Sequence, residues 1–147
     1  MKKTLLLLVM LPLFTLAQKT YVPDDAFEQA LINLDLDDIF DDSVYTSAID
    51  TVQILYLSNA GIADLKGIED FTALTDLFCH DNQLTELDVS NNPNLFELNC
   101  RNNLLSSLDV RNGNNLGLWY FTATFNTDLY CIDVDEVANA NANWVKD

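Results

Sequence analysis

From Val52 onward the chain repeats itself, in units of about 22 and then 21 residues. The first unit carries Val52, Leu55, Leu57, Ala60 and Ile62, and the second Leu74, Leu77, Cys79, Asn82 and Leu84. The third carries Leu95, Leu98, Cys100, Asn103 and Leu105, and a fourth sets Leu116, Trp119, Phe121 and Thr124 at the same offsets. No unit has enough apolar residues to enclose a core of its own. Each can hide its aliphatic edge only by stacking on the next one, so the chain is driven toward a solenoid.

The aligned spacing is L-x-x-L-x-L-x-x-N-x-L, the leucine-rich-repeat pattern, with cysteine allowed at the sixth place. It predicts an α/β right-handed solenoid of about four coils, with short parallel strands and an N-terminal capping helix. Side chains alternate along a strand, so Leu77 and Cys79 should point inward while Phe78 and His80 point out. By the same spacing Trp119 and Phe121 are expected inside. Asn82 and Asn103 are polar yet placed inside, so they should hydrogen-bond to the backbone of their own and neighbouring coils. A second half-period, Leu84, Leu87, Val89 and Asn92 followed by Leu105, Leu108, Val110 and Gly113, predicts extended chain on the back of each coil with little helix. Asn112 to Asn115 predicts a looser turn.

The ends read differently. Met1, Lys2 and Lys3 precede an apolar run from Leu5 to Leu16 and small residues at Thr15 and Ala17, the layout of a secretory signal peptide over 1–17. The run is too short for a membrane anchor. We therefore divide the chain into signal peptide 1–17, an N-terminal cap of helix and acidic loop 18–51, repeats 52–133, and a C-terminal cap or tail 134–147. In the first cap, Pro23 suits a helix start and Phe27, Ala30, Leu31 and Leu34 fall on one side. In the second, Val134 to Trp144 predicts a short helix or turn, with Trp144 folded against the last coil.

The 147-residue chain carries a formal net charge of −16, and loss of Lys2 and Lys3 with the leader makes the remainder more acidic still. Such a field repels phosphate backbones, so no nucleic-acid partner is expected, and it opposes anionic membrane surfaces. No membrane insertion is expected either. The location implied is secreted or cell-envelope, periplasmic if no further export signal exists.

Several residues invite chemistry. The stretch Asp35 to Asp42 is dense in carboxylates and gives a weak expectation of calcium binding, although Ile39 falls on a ligand place of an EF-hand loop and no glycine follows. His80 is the only histidine, and it should face away from neighbouring Cys79, so the two cannot share a metal. Cys79, Cys100 and Cys131 are expected as small buried core residues, with Cys131 in the rear column beside Val89 and Val110. With no nucleophile that His80 could serve, no metal-ligand cluster and no phosphate-cradling glycine loop, no catalytic site and no cofactor are expected.

The outward strand places form the candidate partner-binding strip: Tyr56, Ser58, Phe78, His80, Asn99, Arg101, Tyr120 and Thr122. Exposed aromatics among polar neighbours suit protein recognition, although neighbouring strands also stack such rings for stability. The plainer rear places are Asp88, Ser90, Asp109 and Arg111. The stretches Thr20 to Ile32, Gly67 to Leu77 and Leu87 to Asn92 together resemble secreted leucine-rich-repeat proteins of Bacteroidetes-type bacteria. Members of that group often carry more repeats and a C-terminal sorting domain, so this chain resembles a short or incomplete form. The resemblance implies an extracellular interaction role, with a protein or glycan as partner, and supplies no catalytic residues. The alternatives are a structural or fragmentary adhesin segment without binding of its own and, least favoured, an enzyme.

Overall fold

A computed structural model describes residues 17–114, 117–135 and 144–145. Nearly all of the expected signal peptide, Leu116, and most of the expected C-terminal helix or turn lie outside the described residues.

The described chain begins with strand β1 (Lys19–Tyr21), helix α1 (Asp25–Asn33), strand β2 (Ser43–Tyr45) and a short helix α2 (Thr46–Ile49). Eight further strands follow: β3 (Ile54–Tyr56), β4 (Asp76–Phe78), β5 (Glu86–Asp88), β6 (Glu97–Asn99), β7 (Ser107–Asp109), β8 (Tyr120–Thr122), β9 (Cys131–Asp133) and β10 (Trp144–Val145). They form two parallel sheets on opposite sides of the coils, ordered β10-β8-β6-β4-β3 in front and β5-β7-β9 behind. The back of the first coil holds one turn of 3-10 helix, Ile68–Asp70, in place of a strand.

The register follows the hydrophobic pattern because a slip of one residue would turn every aliphatic side chain outward. Leu55 pairs with Leu77 and Leu77 with Leu98, all at most 1% exposed. Burying each such leucine stabilises the fold by about 1.5–3 kcal/mol. Leu57, Cys79 and Cys100 fill the next inward column, and Leu87 and Leu108 line the rear sheet.

The buried asparagines satisfy the backbone as the chain leaves each front strand. Asn82 Nδ2 donates to the Leu57 and Cys79 carbonyls at 2.7 and 3.0 Å, while its Oδ1 accepts from the Ala60 and Ile62 amides. Asn103 repeats this one coil on, donating to the Cys79 and Cys100 carbonyls and accepting from the Leu84 amide. Asp81 and Asn102, just before them, take left-handed backbone angles, φ 59° and 50°. Asp and Asn tolerate that region better than most residues.

The fourth coil departs from the expected spacing. Leu98 pairs with Phe121 and Asn99 with Thr122, so the unit is offset by two residues. Leu118 is buried and Trp119, expected inside, is 66% exposed. Ala123 and Asn126 occupy the cysteine and asparagine places that had been assigned to Phe121 and Thr124. Asn126 Oδ1 accepts from the Leu105 amide and its Nδ2 donates to the Cys100 and Ala123 carbonyls. Satisfying those buried groups selects this register, because Thr124 has no amide with which to do both. Phe125, ahead of Asn126, has φ 61°, the same backbone turn as Asp81 and Asn102. The extra residues enter near the expected loose turn, where Gly113 has φ 77° and Asn112, rather than residue 113, is the buried asparagine donating to the Asn92 carbonyl.

At the N-terminus Asp24 caps α1, its Oδ1 accepting from the Ala26 and Phe27 amides. Its Oδ2 accepts from the Ala63 and Asp64 amides and so ties the helix to the first coil. Phe27 and Leu31 are fully buried and Phe27 packs on Phe71 at 6.3 Å between ring centres, whereas Leu34, expected on the same side, is 41% exposed because it lies past the helix end. Gly67 adopts φ 107° with the Tyr21 carbonyl only 2.9 Å from where a Cβ would stand. At the other end Trp144 pairs with Phe121 as a strand residue, in place of the helix or turn end expected there.

Candidate partner-binding face

The front sheet brings the outward places of four coils into three columns. The first holds Ile54, Asp76, Glu97 and Tyr120; the second holds Tyr56, Phe78, Asn99 and Thr122. Ser58, His80, Arg101 and Thr124 follow two residues on. Tyr120 therefore stands beside Glu97, not beside Asn99 as the unshifted spacing had it. Thr122, expected outward, is 5% exposed and flanked by β10. Of the strip, Tyr56, Arg101 and Tyr120 are exposed, and Ser58, Phe78, His80 and Asn99 are half-buried.

Tyr56 and Phe78 stack across β3 and β4, with ring centres 5.0 Å apart and planes within 8°. The strand spacing brings them to this distance, and the contact contributes to sheet stability. Tyr56 nevertheless remains 63% exposed. His80 Nδ1 meets Asp81 Oδ2 at 2.6 Å, and this contact, with the Asn102 side-chain amide, holds the Asp81 carboxyl below its usual range. The Arg101 guanidinium lies 5.8 Å over the Phe125 ring. Sequence reasoning missed Phe96 and Trp119, both exposed at the entrance to β6 and β8. The signal for Trp119 was Asn126, whose ladder position sets the register.

Asp76 and Glu97 are opposite one another in register and half-buried. Burial and the neighbouring Asp76 raise the Glu97 carboxyl above its ordinary range. Thr75 Oγ1 donates to Asp76 Oδ2 at 2.5 Å.

The rear sheet borders a cavity of about 450 Å³ lined among others by Glu86, Asp88, Asp109 and Asp133 over Leu65, Leu87 and Leu108. Arg111 closes on Asp109, which lowers the Asp109 carboxyl, and Lys66 closes on Glu69. Cys131 also lies on this side, paired in register with Ser107, and is exposed. It is not in the Val89 and Val110 column, because the last rear strand is offset by three residues, which sets Cys131 opposite Ser107 at an outward place. Cys79 and Cys100 are buried free thiols, and burial pushes the Cys100 thiol up to about 12.

The acidic loop is organised by protein groups. Fully buried Glu28 accepts from the Asp41 and Ser43 amides through Oε1, and Lys19 pairs with Asp41 at 2.7 Å. Among the described residues no group of three or more acidic, histidine or cysteine side chains gathers as metal ligands.

These coils match solved structures. The functional domain of InlJ from Listeria monocytogenes, described as including a cysteine ladder, superposes with a TM-score of 0.63 at 27% identity over 88% of this chain. This solenoid is of the leucine-rich-repeat type. The chain spans 28% of the InlJ structure. An internalin C2 of the same organism matches with a TM-score of 0.51 at 18% identity, over 89% of this chain and 69% of that one. No protein-family model and no curated protein sequence matches the chain. Cys79 and Cys100, on successive coils of this solenoid, form a two-step cysteine column of their own.

Proposed function

We propose that this chain is an exported, non-enzymatic binding module that engages a protein partner through the front face of its leucine-rich-repeat solenoid. The observation carrying this reading is the stacked Tyr56–Phe78 pair, with Tyr120, Phe96 and Trp119 exposed on the same side of successive coils. Exposed aromatic area on a rigid sheet is the raw material of a recognition hot spot. Similarity to internalins supports a module of interaction rather than of catalysis. The division into signal peptide 1–17, cap 18–51, repeats 52–133 and C-terminal segment 134–147 belongs to the same reading, as does a secreted or cell-envelope location. No helix among the described residues is long and apolar enough to cross a membrane.

A protein is favoured over a glycan because the exposed aromatics are spread over several coils and interleaved with charged residues, the mixed surface that protein interfaces use. A second reading, a structural segment of a longer adhesin, draws on the small share of the InlJ structure that the chain spans. The test is to pan the full chain against displayed extracellular protein domains and a glycan array, then repeat with Phe78→Ala and Tyr120→Ala. Loss of the selected protein binders, with the variants' unfolding curves unchanged, supports the front face. Retained binding rejects it.

A further inference from the structure

The front face carries a charge pattern that selects among protein partners. Asp76 and Glu97 face each other across adjoining strands, an arrangement that like charges disfavour. Among the described residues, Lys19, Lys66 and Arg111 pair with Asp41, Glu69 and Asp109, and Arg101 lies over Phe125. No ion pair within the described residues reaches Asp76 or Glu97. Their column runs alongside the one that holds Tyr56 and Phe78, and Ile54, 49% exposed, extends the apolar area.

Resting on the reading above, we propose that this face receives a basic protein segment whose arginine seats between Asp76 and Glu97, its stem and apolar neighbours lying on Phe78 and Tyr56. A guanidinium can bridge two carboxylates, and its carbon stem packs on apolar surface while the head stays hydrated. The incoming charge relieves the repulsion between the two carboxylates. The rear cavity is acidic too, but Arg111 already occupies Asp109 and no aromatic ring lines it. It attracts cations but offers only aliphatic surface and no ring on which a guanidinium stem and its neighbours could stack.

The experiment uses the full chain, isotope-labelled, titrated with a blocked peptide carrying one arginine between leucines, and with its citrulline counterpart. Two double variants that remove the same charge are compared: Asp76→Asn with Glu97→Gln in front, and Glu86→Gln with Asp88→Asn behind. The arginine peptide is expected to bind about tenfold more tightly than the citrulline peptide, to shift Tyr56 and Phe78 resonances, and to lower the Glu97 carboxyl's titration point. The front pair should abolish the tenfold preference and the rear pair should keep it. Equal effects of both pairs would mean attraction by overall charge alone and overturn the proposal. Equal binding of the two peptides to the unmodified chain would overturn it without any variant having to fold. Should Phe78→Ala remove binding while the front pair changes nothing, the basic partner is wrong and the front face stands. Should no front resonance move with any probe and the displayed binders also survive Phe78→Ala, both readings fall.

Discussion

The front and rear sheets are built from the same aliphatic half-repeat, yet they present different surfaces. In front, Tyr56 and Phe78 stack, Tyr120 and Trp119 stand exposed, and Asp76 meets Glu97 without a cation. Behind, the outward residues are short or charged, and Arg111 and Lys66 close on Asp109 and Glu69. Stacking dictates only the inward places, so what differs between the faces is free of the folding requirement. The rear face holds two of its acids in ion pairs, whereas the front face leaves Asp76 and Glu97 beside exposed aromatic rings and open to a partner.

The largest expected difference between the faces lies in the core beneath them. Phe121→Ala, at the centre of β8, should cost about 3–5 kcal/mol of stability. Ile132→Ala, its half-exposed counterpart in β9, should cost about 1 kcal/mol, both read from urea unfolding. Trp119→Ala should change stability by less than about 0.5 kcal/mol. A Trp119 variant as damaged as Phe121→Ala would remove the two-residue offset and restore the even spacing.

Next come the asparagines. Asn103→Ala strands carbonyls and an amide of two coils on the front side and should cost about 3 kcal/mol. Asn92 donates to the Ile68 and Phe71 carbonyls but its Oδ1 has no partner, so Asn92→Ala should cost about half as much. Equal costs would mean that the acceptor side of the ladder adds little.

Thiol chemistry separates the faces without mutation. Cys131 should react with a thiol reagent in the native state, whereas Cys79 and Cys100 should react only after unfolding, their burial and raised thiol titration keeping them inert. Three equally fast thiols would contradict the stacked core.

The smallest effects are electrostatic and opposite in sign. Burial and Asp76 raise the folded-state Glu97 carboxyl, so folding takes up a proton between the ordinary and the raised value. The ionised Glu97 destabilises at neutral pH, and that penalty fades as pH falls through the raised value toward the ordinary one. Glu97→Gln should therefore raise the Tm slightly at neutral pH and less at the acid end of that window. Arg111 lowers Asp109, whose contribution is present above the ordinary carboxylate value and is lost as pH falls through the depressed one. Asp109→Asn should lower the Tm slightly at neutral pH and leave it unchanged below that window.

How much of this was legible follows from the same distinction. Leu77 beside Leu98, the buried Asn82 and Asn103, and the extended rear chain were readable because burial leaves few alternatives at those places. The fourth coil was misread because Trp119 and Phe121 fit the apolar spacing equally well as Leu118 and Phe121 fit the true one. Only the hydrogen-bonding demand met by Asn126 separates them. One further residue of offset turned Cys131 outward on the rear sheet, and Thr122 keeps its outward column but lies buried beside β10, a strand that the repeat spacing did not announce. Glu28 holding the acidic loop was not readable at all, since a lone glutamate in a helix gives no sign of its long-range partners. On the front face, the residue types were visible, but the Asp76–Glu97 pairing needed the strand register.

Amide hydrogen exchange on the chain bound to a protein selected by panning tests the two-face account most directly. Binding should slow exchange at β3, β4 and β6 and at the turns following them, leaving β5 and β7 as they are in the free chain. Slowing confined to β5, β7 and the turns beside the rear cavity would show that the partner uses the acidic rear side and contradict the account.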